Sequence, residues 1–358
     1  MGSCYNKIKS KTFWETSDPF MTTIKDLAKA AGVSITTVSR ALNGYSDVNE
    51  KTRSRIKKLA DELSYRPNAQ AQSLVLKKTN TIGVIISEIK RSNAKDAFAF
   101  EVLCGINDRA GELNYDILLF STNPNKQLRK SYSDLCRERN VDGAILQGLR
   151  VSDPYLKEVI DQPHFPCVLI DIPVAGERVG HVTTDNVNGA REAVRHLIEL
   201  GHKRIAMING YDEASVSRER LTGYMVALQE SGMAYEPALV TDGRFSEEGG
   251  MDAMQQILEK HPDVTAVFCA SDLMALGALR ALERAGRSVP DSMSLVGFDD
   301  ISIASYCSPN LTTVRQEKYE LGYQAAQLLI DMLEGRQVRH KVMLPNELIV
   351  RGSTSRKR

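Results

Sequence analysis

Carboxylates and guanidinium groups in this 358-residue chain gather where short apolar runs end. Asp171 closes "PCVLID". "SRERLTG" puts Arg218 and Arg220 at the head of a helical stretch after "IAMING". Ser271 and Asp272 follow "VTAVFCA", and Asp299 and Asp300 follow "SLVGF". Singly, each is an ordinary helix cap or solvated charge. Together, an arginine and several carboxylates at converging strand ends suit a polyhydroxylated ligand. Carboxylates accept from hydroxyls, and the guanidinium donates in a fork. Reactive chemistry finds no signature: there is no GxGxxG, GxxxxGK[ST] or GxSxG. The histidines (164, 181, 196, 202, 261 and 340) lack metal-ligand spacing. No catalytic residue, metal or cofactor is expected, and the chain does not read as an enzyme.

A second concentration lies in "AGVSITTVSRALNG", Ala31 to Gly44. Val38 and Leu42 suit a core, but Ile35, Thr36, Thr37, Ser39 and Arg40 do not suit one together. The stretch belongs to a basic module. Residues 21–80 hold eleven Lys/Arg against five Asp/Glu, a net of +6 where the whole chain carries +1. A basic module on a mildly acidic body points to a polyanion partner for the module alone.

Three short helical patterns build that module. Ile24, Leu27, Ala28 and Ala31 recur at helical spacing, with a Thr23–Asp26 capping box before them and Gly32 after. Ser34 caps the second helix, and Asn49 caps a third with Ile56, Leu59, Ala60 and Leu63 on one face. This is the layout of a helix-turn-helix domain. Pro67 then breaks the chain, and Asn68 to about Leu76 form a helix too short to stand alone.

From Thr81 the style changes to short apolar runs, "TIGVII", "YDILLFS", "DGAILQ", "PCVLID", "HVTTD", "RIAMIN", "PALVTD", "VTAVFCA" and "MSLVGFD". Amphipathic stretches at about 97–113, 126–139, 187–200, 216–231, 247–260 and 272–285 separate most of them. Such alternation predicts two α/β lobes, each a doubly wound parallel sheet, with ligands beyond the carboxyl ends of the strands. A long helix over 317–335 and short strands at about 341–350 follow. The resulting division is a disordered extension at 1–20, a helix-turn-helix domain at 21–66, a hinge helix and linker at 67–80, and a two-lobed core at 81–358. The six scattered cysteines read as buried, reduced thiols of a cytoplasmic protein. No apolar run reaches the ~20 residues needed to span a bilayer, so no membrane partner is expected.

"TIKDLAKAAGVSITTVSRALNG" with "VNEKTRSRIKKLADELSYRPNAQAQSL" resembles the headpiece of the lactose-repressor/galactose-repressor family of bacterial transcription regulators. "AVRHLIELGHKRIAMING", "SRERLTGY", "ASDLMALGALRAL", "SLVGFDD" and "PNLTTVRQ" extend the resemblance from Thr22 to about Val350. It implies an all-α helix-turn-helix headpiece plus an α/β core like the periplasmic sugar-binding proteins (type I). It also implies a homodimer on a pseudo-palindromic operator, with a sugar or sugar derivative as effector.

By the same resemblance Ile35, Thr36 and Arg40 read base edges. Arg40 is suited to guanine, with a phosphate contact as the alternative. Ser34, Thr37 and Ser39 cap the helix or position phosphates. Asn49 and the run Arg53, Arg55, Lys57 and Lys58 either touch phosphate or only solvate the third helix. Ala71 and Leu74 match positions that pair across the dimer and wedge the minor groove. Effector positions fall on Asp171, Arg220, Ser271, Asp299 and Gln316, with Phe245 packing on the ligand's apolar face. "IKRSNAKDAFAFEVL" departs from the family pattern at the first-lobe contact; Phe98 and Phe100 stand near that place, and Phe98 is taken as the first-lobe effector-binding residue. Lacking the terminal leucine heptads of the longer members, the chain is expected to stop at a dimer. Rival readings are a purine or partner-protein corepressor, and a sugar-acting enzyme carrying a DNA-binding headpiece.

Overall fold

The computed structural model describes residues 22–66, 78–87, 98–122, 130–150, 152–161, 165–174 and 176–357. The chain divides into two compact units, Met1–Thr79 and Asn80–Arg358. The helices of the first are α1 (Ile24–Ala31), α2 (Ile35–Leu42) and α3 (Glu50–Glu62). Each starts on a side-chain cap. Thr23 and Asp26 form the reciprocal capping box, and Gly32 ends α1 at a φ of 62°. Leu27, Ala31, Val38, Ala41 and Ile56 bury the inner faces. Two readings shift. Leu63 is not on the buried stripe of α3; it is the helix C-cap and stands exposed. Leu42 is half-buried, and Ala41 takes the inward place beside Val38.

In the larger unit, β1 (Thr81–Ser87), α4 (Phe98–Glu112), β2 (Asp116–Thr122), α5 (Tyr132–Glu138), β3 (Gly143–Gln147), α6 (Pro154–Asp161), β4 (Cys167–Ile170) and β5 (Val179–Thr184) begin the first lobe. The second lobe runs through α7 (Asn186–Glu199), β6 (Ile205–Asn209), α8 (Ser215–Glu230), β7 (Val240–Asp242), α9 (Glu247–Lys260), β8 (Ala266–Cys269), α10 (Asp272–Arg284), β9 (Ser294–Asp299) and β10 (Thr312–Gln316). Then α11 (Lys318–Leu333) and β11 (Lys341–Leu344) return to the first lobe, and β12 (Asn346–Ile349) goes back to the second.

The sheets are ordered β11-β5-β4-β3-β1-β2 and β12-β10-β9-β8-β6-β7. All pairs are parallel except β10 with β12. The strands of the centre are buried on both faces, as parallel sheets require. Each lobe therefore borrows a strand from the C-terminal segment, which sequence alternation alone does not show. The same alternation passed over α6 and β10, and the stretch 126–139 is helical from Tyr132 to Glu138 among the described residues. "PALVTD" contributes only the three residues of β7, after a 3-10 turn at Pro237–Leu239.

The returning helix α11 packs against α4. A Cβ on Gly322 would collide with the Val102 carbonyl, and one on Gly105 with that of Tyr319, so both positions require glycine. His202, between α7 and β6, is buried. Its ring meets Thr265 at 2.9 Å, Ser294 at 3.0 Å and the Ser355 carbonyl at 3.1 Å, anchoring the C-terminal segment. Cys136, Cys167 and Cys269 are buried free thiols, and burial pushes Cys136 and Cys167 up to about 12.

Candidate functional site

On the headpiece, the hydroxyls of α2 divide by task. Ser34 Oγ accepts from the Thr37 amide at 3.0 Å and shares a hydrogen bond with the Thr37 hydroxyl at 2.8 Å. Ser39 accepts from Asn43 Nδ2 at 3.4 Å. Asn49 Oδ1 takes the Thr52 amide at 2.8 Å and so caps α3. With Val38 and Ala41 turned inward, Ile35, Thr36 and Arg40 stand exposed, Ile35 at 44%. Ser34, Thr36, Thr37, Arg40 and Asn49 line one shallow depression with Asp47 and Thr52.

Arg40 is not idle. Its guanidinium reaches Asp47 at 2.8 Å and lies 5.2 Å from the Tyr45 ring centre. Both charged partners are half-exposed, so the ion pair is worth only ~0–1 kcal/mol and is exchangeable for a stronger acceptor. The basic run also divides. Arg53 donates to the carbonyls of Tyr45 (2.8 Å) and Val48 (3.1 Å), and Arg55 to that of Ala31 (2.9 Å). These two tie down the loop and the end of α1. Lys57 and Lys58 remain on the surface. Ala71 and Leu74 lie outside the described residues.

In the core, the polar residues named from sequence converge on one buried cluster. Arg220, in α8, is 4% exposed. Its Nε donates to Asn186 Oδ1 at 2.9 Å, and one terminal nitrogen donates to the Ala270 carbonyl at 2.5 Å and lies 3.6 Å from Asp299 Oδ1. The guanidinium carbon sits 3.8 Å from the Phe298 ring centre. Gln316 Nε2 donates to the same Asp299 oxygen at 2.6 Å. Asp171, just past β4, accepts from the Thr183 hydroxyl at 2.7 Å. Burial raises the Asp171 carboxyl above its ordinary range, against the opposing pull of Thr183 and Arg220.

Backbone strain collects at the same place. Asp171, Phe245 and Asp299 have φ of 61°, 49° and 113°, where non-glycine residues are rare. Such outliers cluster at ligand-holding sites. Ser271 is less available: it caps α10, accepting from the Met274 amide at 3.3 Å. Phe245 meets Tyr211 edge-on at 5.3 Å. Phe98, named as a first-lobe contact, is half-buried against the first-lobe core, and Phe100 is 67% exposed. Arg218, two residues before Arg220, faces solvent.

Several members of the cluster escaped the sequence reading. Asn186, at the start of α7, links Arg220 to Glu219 through Nδ2 at 2.8 Å. Burial raises Glu219 as well. Asp272 was noted only at a strand end. It is fully buried, accepts from the Ile301 amide (2.9 Å) and the Thr313 hydroxyl (2.6 Å), and is held well above the usual range by desolvation. Lys318 donates to the carbonyls of Asp299 and Asp300 at 2.8 and 3.0 Å. Gln147 ends β3, in register with Ile170 beside Asp171, and its buried Oε1 has no partner among the described residues. Glu219 lies inside α8; the others share position at the carboxyl end of a strand or at the first residue of the next helix.

Arg150 of the first lobe lies 5.0 Å from the ring centre of Tyr211 in the second, a cation–π contact across the lobes. Among the described residues no group of three or more His, Cys, Asp or Glu is arranged to hold a metal, and no helix is long and apolar enough to cross a membrane.

Comparison with known proteins decides what carries these two sites. Residues 23–68 match the family model of bacterial regulatory proteins, lacI family, and residues 194–354 match that of the periplasmic binding protein-like domain. The transcriptional repressor CytR of Escherichia coli strain K12 is 38% identical over 334 residues, covering 93% of this chain and 96% of CytR. The chain belongs to the lacI family. Solved lacI-family structures agree along almost the whole length. The transcriptional regulator CelR in complex with cellobiose is 34% identical at a TM-score of 0.73, covering 93% of this chain and 99% of that one. The lac repressor dimer bound to operator and the anti-inducer ONPF is 29% identical at a TM-score of 0.79, covering 94% and 99%. As a lacI-family member this protein is a ligand-responsive, DNA-binding transcriptional regulator, and its relatives are regulators rather than enzymes.

Proposed function

We propose that the chain is a repressor that binds a pseudo-palindromic operator as a homodimer and responds to a small sugar-like effector held by the core. One observation carries this reading: the Asp171–Arg220–Asp299–Gln316 cluster stands at strand ends of both lobes, with strained backbone at its corners. A packing role alone gives no reason to bury that much charge at a junction. Ile35, Thr36 and Arg40 serve as the base-reading set in the major groove, while Ser34, Thr37, Ser39 and Asn49 hold helix ends and position phosphates. Ala71 and Leu74 belong to the hinge that pairs across the dimer and wedges the minor groove.

Asp171 comes from the first lobe and Arg220, Phe245, Ser271, Asp299 and Gln316 from the second. A ligand touching both sets biases the lobes' relative orientation, and operator affinity changes with it. Linkage makes the effect reciprocal: operator alters effector affinity by the same factor. Selection from random DNA with the purified full chain tests the first half, with a two-fold symmetric site as the expected product; an asymmetric site overturns the dimeric reading. Thermal shift against sugars and purines tests the second, because a ligand specific to the native state raises the melting temperature. A response to purines alone replaces the sugar.

A further inference from the structure

From the way the core cluster spends its charges, we infer that the effector is an uncharged, donor-rich molecule, and that its phosphorylated or carboxylated counterparts are rejected. This rests on the effector reading above and narrows the ligand class within it.

Among the described residues the cluster sets four carboxyl side chains, Asp272 and Asp299 buried and Asp171 and Glu219 half-buried, around two cations, Arg220 and Lys318. Both cations are already engaged. Arg220 is divided among Asn186, the Ala270 carbonyl and Asp299, with its flat face on Phe298. Lys318 is 5% exposed, donates to two backbone carbonyls and lies 3.7 Å from Glu101. Arg150 rests on the Tyr211 ring, and Arg218 faces solvent.

What the cluster leaves unsatisfied is the opposite kind of group. Gln316 is 2% exposed, and its Oε1 has no partner among the described residues. Its amide orientation is set, because Nε2 must face the Asp299 carboxylate to donate at 2.6 Å. Gln147, 6% exposed at the end of β3, leaves Oε1 without a partner among the described residues too. A buried acceptor without a partner is costly, and an O–H or N–H of the ligand relieves that cost. A phosphate or carboxylate brings only more acceptors beside the excess of carboxyl groups among the described residues.

Matched pairs added to the full chain decide the matter by calorimetry: D-ribose with D-ribose 5-phosphate, cellobiose with cellobionate, and adenosine with its 5′-monophosphate. The neutral member of one pair is expected to bind, and its anionic partner to bind at least about 100-fold more weakly, as burying an unpaired charge demands. Glu219→Gln, checked for folding by circular dichroism, is expected to narrow that ratio. An anionic member that binds as well as its neutral partner, or better, overturns the inference and leaves the small-molecule effector intact. Absence of binding by every compound in both forms counts instead against the effector reading itself.

Discussion

The headpiece and the core recognise their partners with opposite uses of charge. On α2 the side chains proposed to read bases stand in water, and Arg40 is held loosely by a half-exposed Asp47 and by Tyr45. In the core the arginine is buried, and each functional side chain is held by another. The difference follows from partner size. A rigid polyanion presents its groups to a protruding surface, and ion pairs in high dielectric exchange cheaply. A small molecule must be enclosed, so its site has to be organised before it arrives.

The sharpest way to break this comparison is to remove one arginine from each side. Arg220→Ala leaves Asn186 and Asp299 buried without their partner and is expected to cost the core about 3–5 kcal/mol, read by urea denaturation, and to abolish the effector response. An intact response removes Arg220 from the site. Arg40→Ala is expected to leave the headpiece folded and to cost ~1–3 kcal/mol in operator discrimination. Fluorescence anisotropy on specific and random DNA measures it; equal losses on both assign Arg40 to phosphate.

A smaller effect separates the lobes. Arg150→Ala removes the cation–π contact with Tyr211, worth about 0.5–1 kcal/mol at an exposed site. Interlobe distances from paired spin labels are expected to broaden in the variant and to stay narrow in Tyr211→Phe. A separate contrast is a slope with pH. Burial, with Lys341 nearby, depresses His181 to about 4, so its contribution to stability is present above 6.5 and is lost as pH falls toward 4. His181→Asn is expected to flatten the core's urea midpoint across that window. Headpiece melting is expected to be flat from pH 6.5 to about 5, above the range where its carboxylates titrate, since residues 21–80 contain no histidine; a matching slope in the headpiece there would break the contrast.

Local chemistry was legible wherever the determinants are local. The Thr23–Asp26 box, the Ser34 and Asn49 caps and the outward set Ile35, Thr36 and Arg40 need only helical spacing and hydrogen-bonding side chains a few residues apart. The alternating strands and helices of the core could be read for the same reason. Arg53 and Arg55 could not: on a helical wheel they look solvated, yet loops brought against them supply carbonyls. Leu63 failed likewise, because a periodic stripe does not announce where a helix stops.

The core cluster divides along the same line. Asp171, Arg220 and Asp299 could be suspected because charged residues just past apolar strands are conspicuous in a linear chain. That Asn186 bridges Arg220 to Glu219, and that Gln316 and Lys318 both close on Asp299, depends on residues 17 to 34 positions apart, on different elements, meeting at one junction. Residue order accounts for the helices, their caps, the strand runs and the polarity of their ends, since these follow from neighbours within a turn or a pleat. The strands lent between lobes, the pairing of every buried charge and the acceptors left open needed the folded chain, because hydrogen bonds and desolvation act through space.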